Sequence, residues 1–347
     1  MRLMSFAVYG LFNEYDYDVA LIDGRLSFIH SQNGFGKSTL MRLISCILTG
    51  DLEQMSDVAF ARMDLRFDDG TCLIAENQGG EVSVRMQKND LTEDLSAEEA
   101  RSVMNTVYIS PYRYLVKSGD GYAPALPTYL ARLRDGLRAA SEGSALPAPR
   151  AGAMSGLSDE ELERRCRDLK AKLDFMKGAG LEPDMPPGQR FPPGRMDIHE
   201  RRGHAEDLAS SVEGYVGRFY AFAESVVVFL DLANGLFMNK EVFINDGCSL
   251  NARMSNGTAV PMGKLSSGEE QMLIMLYRIL FDSPAGSLII IDEPEISLHV
   301  SWQQQMGGML SNLARMRDLQ IVVATHSPQI IHDGWDSATE LRAGDER

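Results

Sequence analysis

The sequence predicts an α/β fold with a parallel sheet, an antiparallel meander and a helical insertion, and three patterns carry that expectation. Two short runs are continuously apolar, Ser287 to Ile291 and Gln320 to Ala324, with a helical stretch from Trp302 to Met316 between them. Fully apolar strands alternating with helices belong to a parallel sheet buried on both faces. Near the N-terminus, Arg25 to Ile29 reads as a strand that runs through a glycine-rich turn into an apolar-periodic helix, Ser38 to Leu48. From Ala59 to Gln87, FARMDLRF, TCLIAEN and EVSVRM alternate polar with apolar residues, and DDG and NQGG supply the turns of a meander.

The remaining elements follow in order. Ser5 to Tyr9 and Val19 to Ile22 read as short strands, and Asn105 to Ser110 as another. Pro127 to Ala140 and Ser158 to Lys177 are helical by composition, and Ser158 precedes Glu161 at capping-box spacing. The segments ALPAPRAGAMSG and GLEPDMPPGQRFPPGR are Pro/Gly-rich and read as loops, the places where a protease should cut first. Met196 to Phe237 reads as a long, interrupted helical region. Strand signals return in EVFIND and SLNARMS, followed by a helix from Ser267 to Leu280. The expected organisation is an N-terminal lobe over residues 1–125, a helical insertion over 126–236 and a C-terminal lobe over 237–347.

Composition sets limits. The chain has 347 residues, 44% hydrophobic and 24% charged, ordinary values for a protein with a sizeable core. Lys and Arg number 34 against 49 Asp and Glu, a net charge of −15. Bulk electrostatics therefore give no support to nucleic-acid binding, which would need a local basic patch or a basic partner subunit. Cys46, Cys72, Cys166 and Cys248 are scattered without a CxxC pair, as expected in a reducing compartment. The N-terminal stretch lacks the pattern of a signal peptide, and the apolar run from Val226 to Leu236 is broken by Asp231 and Asn234. A cytoplasmic protein with no membrane partner is expected.

Four short motifs carry chemistry. Ser31 to Thr39 (SQNGFGKST) matches the phosphate-loop pattern G-x-x-x-x-G-K-[ST] except that Ser31 stands at the first glycine position. In such a loop Gly34 and Gly36 let the backbone approach phosphates. Asn33, Phe35 and Thr39 would contribute backbone N–H groups, Lys37 a charge for the β/γ-phosphates, and Ser38 a hydroxyl for Mg²⁺. Taken alone, the stretch could be a glycine turn with a surface lysine. Leu288 to Glu293 (LIIIDE) buries a strand and delivers two carboxylates at its C-terminal end, where α/β sheets place ligands. Asp292 would hold Mg²⁺ and Glu293 would polarise an attacking water; a solvated acidic turn explains the same residues. Leu265 to Gln271 (LSSGEEQ) opens a helix with Ser266, Ser267, Gly268 and Glu269, either an anion site or a plain helix cap. His326, in ATHSP after the last apolar strand, could sense a γ-phosphate or sit as a loop histidine. His199 to His204 approaches HExxH but has the wrong spacing for two zinc ligands on one helix face.

Together the motifs run phosphate loop, Ser-Ser-Gly helix, strand-Asp-Glu, strand-His, and this order resembles the ATP-binding cassette (ABC) ATPases. The resemblance implies a P-loop NTPase head with LSSGE as signature motif, LIIIDE as Walker B and His326 as switch histidine. It covers roughly Met1 to Pro111 and Phe243 to Ile331. DEPEISLH and THSPQII are similar to the non-transporter branch that includes SMC, RecF and the "overcoming lysogenization defect" ATPases; transporter subunits generally carry Asp where His299 stands. The segment where that family places its Q-loop glutamine, Tyr108 to Arg113, contains none.

The resemblance implies ATP and Mg²⁺ as ligands, with Ser38 and Asp292 on the metal and Glu293 and His326 as catalytic groups. It implies an ATP-dependent head-to-tail homodimer in which Ser266 to Glu269 of one subunit cap the nucleotide of the other. The output would act on a nuclease or other effector subunit, in DNA repair or antiviral defence. Two other readings stand beside this one: the energising subunit of a membrane transporter, and an ATP-gated scaffold that does not hydrolyse.

Overall fold

The computed structural model describes residues 1–22, 24–32, 34–89, 91–118, 121–147 and 157–342. In chain order it begins with strands β1 (Leu3–Leu11), β2 (Tyr15–Ala20) and β3 (Leu26–His30), then helix α1 (Lys37–Thr49). Strands β4 (Arg62–Phe67), β5 (Cys72–Gln78), β6 (Glu81–Lys88) and β7 (Leu91–Leu95) lead to α2 (Ala97–Val103) and β8 (Thr106–Ile109). The hairpin β9 (Leu115–Ser118) and β10 (Gly121–Pro124) precedes α3 (Ala125–Glu142), α4 (Asp159–Met176), α5 (Arg195–Glu200) and α6 (Arg202–Leu236). Strands β11 (Lys240–Ile244), β12 (Leu250–Met254) and β13 (Ala259–Val260) come before α7 (Ser267–Phe281). The chain closes with β14 (Leu288–Asp292), α8 (Val300–Met316), β15 (Gln320–Thr325), α9 (Pro328–Ile331) and β16 (Ala338–Glu340). It folds as two compact units, Met1–Arg113 with Arg278–Arg347, and Tyr114–Tyr277.

The first unit holds two sheets. One is parallel, in the order β16-β3-β15-β14-β8. Every residue of β14 and β15 is buried, the burial expected of central strands covered on both faces. Each isoleucine of β14 adds about 1.5–3 kcal/mol by leaving water. The other sheet is antiparallel, β2-β1-β4-β5-β6-β7: the meander anticipated from the alternating pattern is β4 to β6, extended by β1 and β2 on one side and β7 on the other. Acidic Glu93 and Asp94 lie on β7, the kind of charge that keeps an exposed edge from pairing with other chains. The Gln320 side chain ties the sheets together. Its Oε1 accepts from the Leu3 amide at 2.9 Å and its Nε2 donates to the Leu3 carbonyl at 2.7 Å. Between the sheets α1 buries Leu40, Met41, Leu43, Ile44, Ile47 and Leu48, and Phe6, Val8 and Leu65 belong to the same core.

The second unit is mainly helical. Its α4 begins with the expected capping box: the Ser158 Oγ accepts from the Glu161 amide at 3.3 Å, and Glu161 accepts from the Ser158 amide at 2.6 Å. Leu162, Cys166, Leu169, Leu173 and Met176 form the buried stripe of α4, at helical spacing. Its partner α6 buries Leu208, Val212, Tyr215 and Val216. The expected interruption falls at Arg201, between α5 and α6. At 35 residues, α6 is about 50 Å long. Length and composition would let α6 cross a membrane, but here it is a packed helix with one face against α4. Near its end, the Asn234 side chain accepts from the Val242 amide at 2.7 Å and donates to the Val242 carbonyl at 3.0 Å, docking β11.

Candidate functional site

The loop between β3 and α1 is shaped for close backbone approach. Gly34 and Gly36 have φ of 91° and 78°, left-handed conformations that residues with a Cβ avoid. At Gly36 a Cβ would also stand 3.0 Å from both Leu11 Cδ2 and Phe12 Cε2. Among the described residues no side chain caps α1, so its first N–H groups remain available to an anion. Behind the loop, the Tyr17 hydroxyl donates to the Phe35 carbonyl at 3.0 Å. Asn33 lies outside the described residues.

Lys37 is buried with its ammonium turned back onto the chain. Its Nζ donates to the Ser31 carbonyl at 3.1 Å, to Ser31 Oγ at 3.0 Å and to the Gln32 carbonyl at 3.5 Å, and meets His326 Nδ1 at 3.0 Å. The serine at the first glycine position thus gives the lysine one more acceptor. Burial holds the Lys37 ammonium below the usual lysine value, against the upward pull of Glu293, Asp292 and Glu295. Because an ammonium can only donate, His326 Nδ1 must accept, which places the imidazole proton on Nε2. That Nε2 lies 3.5 Å from Glu293 Oε1.

Asp292 ends β14 and is completely buried. The Ser38 hydroxyl donates to its Oδ1 at 3.1 Å, and the Tyr108 hydroxyl to its Oδ2 at 3.0 Å. Burial raises the Asp292 carboxyl to about 6; these two bonds pull it down, and Glu293 and Glu295 push it further up. The same burial, with Asp292 beside it, drives the Tyr108 phenol well above its usual value. Tyr108 stands on β8 in the segment where the resembling family carries its glutamine, and the motifs give no sign of it. Its parallel pairing with Ile290 brings it beside Asp292.

Glu293 follows in a left-handed conformation with φ of 46°, its amide donating to the Ala324 carbonyl at 2.8 Å. Gly34, Gly36, Lys37, Ser38, Thr39, Glu293, Glu295 and His326 line one open cavity of 490 Å³. Of the residues expected to act on nucleotide within one chain, the structure therefore brings Gly34, Gly36, Lys37, Ser38, Thr39, Asp292, Glu293 and His326 together, while the Phe35 ring packs near Tyr15. Tyr108 and Glu295 are additions.

The Ser266 to Glu269 segment belongs to the other unit. The Ser266 Oγ accepts from the Glu269 amide at 3.3 Å, and Glu269 Oε2 accepts from the Ser266 amide at 2.8 Å, a capping box at the start of α7. Burial pushes the Glu269 carboxyl up, but Lys240, 2.8 Å from both oxygens, and Ser266 outweigh it and leave the group below its usual range. Ser266 and Ser267 are exposed and Gly268 is buried. His199 lies 3.7 Å from Asp159, and among the described residues no cluster of three His, Cys, Asp or Glu side chains is placed to hold a metal.

The raised Asp292 carboxyl has a measurable consequence. Because its folded value lies above its ordinary 3.8, its contribution to stability is full below pH 3.8 and is lost as pH rises through about 6. In EDTA, Asp292→Asn should escape that loss and be more stable than wild type by about 2–3 kcal/mol at pH 7.5. Denaturant melts of both proteins at pH 4.5 and 7.5 measure the difference; a pH-independent gap would contradict the assignment.

Among solved structures, the chain is similar to an SmcHead bound to the C-winged helix domain of ScpA, with TM-score 0.53 over 99% of this chain and 95% of that one. Their identity is 14%, so the likeness is one of fold. Residues 228–332 match the family described as "AAA domain, putative AbiEii toxin, Type IV TA system", a span that holds Ser266 to Glu269, Asp292, Glu293 and His326. The chain has the fold of an Smc head. It is 33% identical over 104 residues to the DNA repair protein RecN of Mycobacterium leprae (strain TN), covering 26% of this chain and 17% of that protein. It is 30% identical over 88 residues to the Retron Ec83 probable ATPase of Escherichia coli, covering 22% of this chain and 16% of that one. The matches span about one sixth of the length of these curated relatives.

Proposed function

We propose that this protein binds and hydrolyses ATP with Mg²⁺, and that ATP closes two copies head to tail to drive or gate a partner protein. The observation that carries the reading is the convergence on one cavity of Lys37, Ser38, Glu293 and His326, with Asp292 bonded to Ser38 beneath them. The glycine-shaped loop from Asn33 to Thr39 and the uncapped start of α1 receive the triphosphate. Lys37 exchanges its neutral acceptors for phosphate oxygens. Glu293 takes the proton of the attacking water, and His326, with its proton on Nε2, orients that water or the γ-phosphate.

The residues fit Mg²⁺: a hydroxyl and a buried carboxylate 3.1 Å apart form an all-oxygen pair, completed by phosphate oxygens and water. Ser38 and Asp292 would hold the ion, which supplies charge to the β- and γ-phosphates when bound. Tyr108 and Ser38 keep the Asp292 carboxylate oriented for that task.

In the dimer, Ser266, Ser267, Gly268 and Glu269 of one copy cap the nucleotide bound to the other. The partner is an effector subunit such as a nuclease, residues 126–236 form its docking lobe between the two lobes of the head, and the setting is cytoplasmic, without a membrane partner. The likeness to the DNA repair protein RecN supports DNA repair as the context, with antiviral defence as the second setting. Phosphate release from ATP, with and without Mg²⁺, tests the reading: magnesium-dependent turnover is expected, and binding without turnover would leave a scaffold.

A further inference from the structure

The loop after β14 starts and ends in left-handed conformations at residues that are not glycine, Glu293 with φ of 46° and Ser297 with φ of 63°. Each costs of order 1–2 kcal/mol, so the loop keeps its shape only because its surroundings hold it. Two ties to the tip of β15 do so. One is the Glu293 amide on the Ala324 carbonyl at 2.8 Å. The other is Glu295, whose Oε1 accepts from the Thr325 hydroxyl at 2.8 Å and from the His326 amide at 2.6 Å. Thr325 is completely buried, and its Oγ1 also accepts from the Ser327 amide at 2.9 Å, so its single proton is committed to Glu295.

The second Glu295 oxygen, Oε2, is buried and has no partner among the described residues. A buried orphan acceptor is costly, and such groups persist where function keeps them. Glu295 is also part of the cavity wall. It belongs to the same short loop as Glu293, while its bonds come from the Thr325 hydroxyl and the His326 amide.

We propose that Glu295 is a positioning residue: it locks the loop bearing Glu293 to the strand tip bearing His326, and so sets the imidazole between Lys37 and Glu293. This rests on the ATPase reading above. Without the carboxylate, the His326 amide and the Thr325 hydroxyl lose their shared acceptor, and the strand tip is free to move relative to Glu293. Phosphate contacts from the loop before α1 and from Lys37 would remain. The defect should therefore fall on turnover and spare ATP affinity.

Three variants test it. Glu295→Ala should lower kcat about 10- to 100-fold with ATP affinity changed less than about threefold, the pattern of an interaction used mainly in the transition state. Glu295→Gln retains a carbonyl oxygen to accept both bonds and should recover most of kcat. Thr325→Val should cost less than Glu295→Ala, and adding it to Glu295→Ala should cost little more, because both act through one contact. A readout without turnover separates failure of this proposal from failure of the ATPase reading. The His326 imidazole resonance, assigned by its loss in His326→Asn, should shift in Glu295→Ala and stay near its wild-type position in Glu295→Gln. An unmoved resonance in a folded Glu295→Ala protein would overturn the proposal, as would unchanged kcat in an active enzyme, an effect confined to affinity, or a glutamine variant as impaired as alanine. A wild type that binds ATP without turning it over would sink the hydrolytic reading and leave the resonance to decide the clamp.

Discussion

Lys37→Ala should abolish measurable ATP binding. In the nucleotide-free chain the Lys37 ammonium donates to uncharged acceptors, the Ser31 carbonyl and hydroxyl and the Gln32 carbonyl, and rests against His326 Nδ1. A phosphate oxygen is a stronger acceptor than any of these, so the exchange favours the ligand. The surroundings make the lysine harder to replace. Glu293, Asp292 and Glu295 all act electrostatically on it, and without its charge three carboxylates would face an incoming triphosphate alone. Truncating one member of a buried, hydrogen-bonded charge pair costs about 2–5 kcal/mol, so affinity should fall about 30-fold to several thousandfold. Arginine should not substitute, because a planar fork cannot occupy the pocket of a compact ammonium. Titration calorimetry with ATP and Mg²⁺ measures the change, and thermal unfolding checks that the variant is folded. Unchanged affinity would remove this loop as the nucleotide site.

The parts of the fold that could be read in the sequence are those with local causes. β14 and β15 are continuous apolar runs because both their faces are covered. The β4 to β6 meander is legible from its alternation and turns, although Met63 to Leu65 and Leu73 to Ala75 are buried on both faces. The phosphate loop is legible because its glycines, lysine and serine are neighbours in sequence. Tyr108 is different: it is 184 positions from Asp292, and only the parallel pairing of β8 with β14 brings the hydroxyl to the carboxylate. A tyrosine near the end of a strand, in the segment where the resembling family carries a glutamine, is the one available signal. Glu295 is in plain view in DEPE, yet its bonds to Thr325 and His326 depend on the parallel pairing that sets the ends of β14 and β15 side by side. The short α2, β7 and β16 have too few residues for periodicity to show, although Ser96 and Glu99 form a capping box that marks the start of α2. The long helical region read over Met196 to Phe237 contains α5 and α6, and Asp231 and Asn234, which break the apolar run, do not break the helix. In the structure Asn234 is helical and uses its amide to hold β11.

Glu293→Gln should leave ATP bound and nearly stop its hydrolysis. Glutamine keeps the size and hydrogen-bonding reach of the side chain but cannot take a proton from water, and loss of a general base typically costs about two orders of magnitude or more. The backbone at this position is set by its amide bond to Ala324 and by the tie from Glu295, so the substitution should not disturb the loop. Lys37 and Ser38 are untouched, so affinity should stay near wild type. If the Ser266 helix of a second copy caps the γ-phosphate, a nucleotide that cannot be cleaved should hold the copies together, and the variant should accumulate as an ATP-bound dimer. Adding Ser266→Arg should return it to monomer. Ser266 is exposed and caps α7 through its hydroxyl, so an arginine there removes the cap and sets a bulky cation where the phosphate would dock. Light scattering in ATP and Mg²⁺ reads the assembly, and phosphate release reads the chemistry. A Glu293→Gln protein that hydrolyses at the wild-type rate would remove Glu293 as the base. One that binds ATP but stays monomeric would remove the trans-capped dimer, and a dimer indifferent to nucleotide would leave the fold standing while overturning the gating.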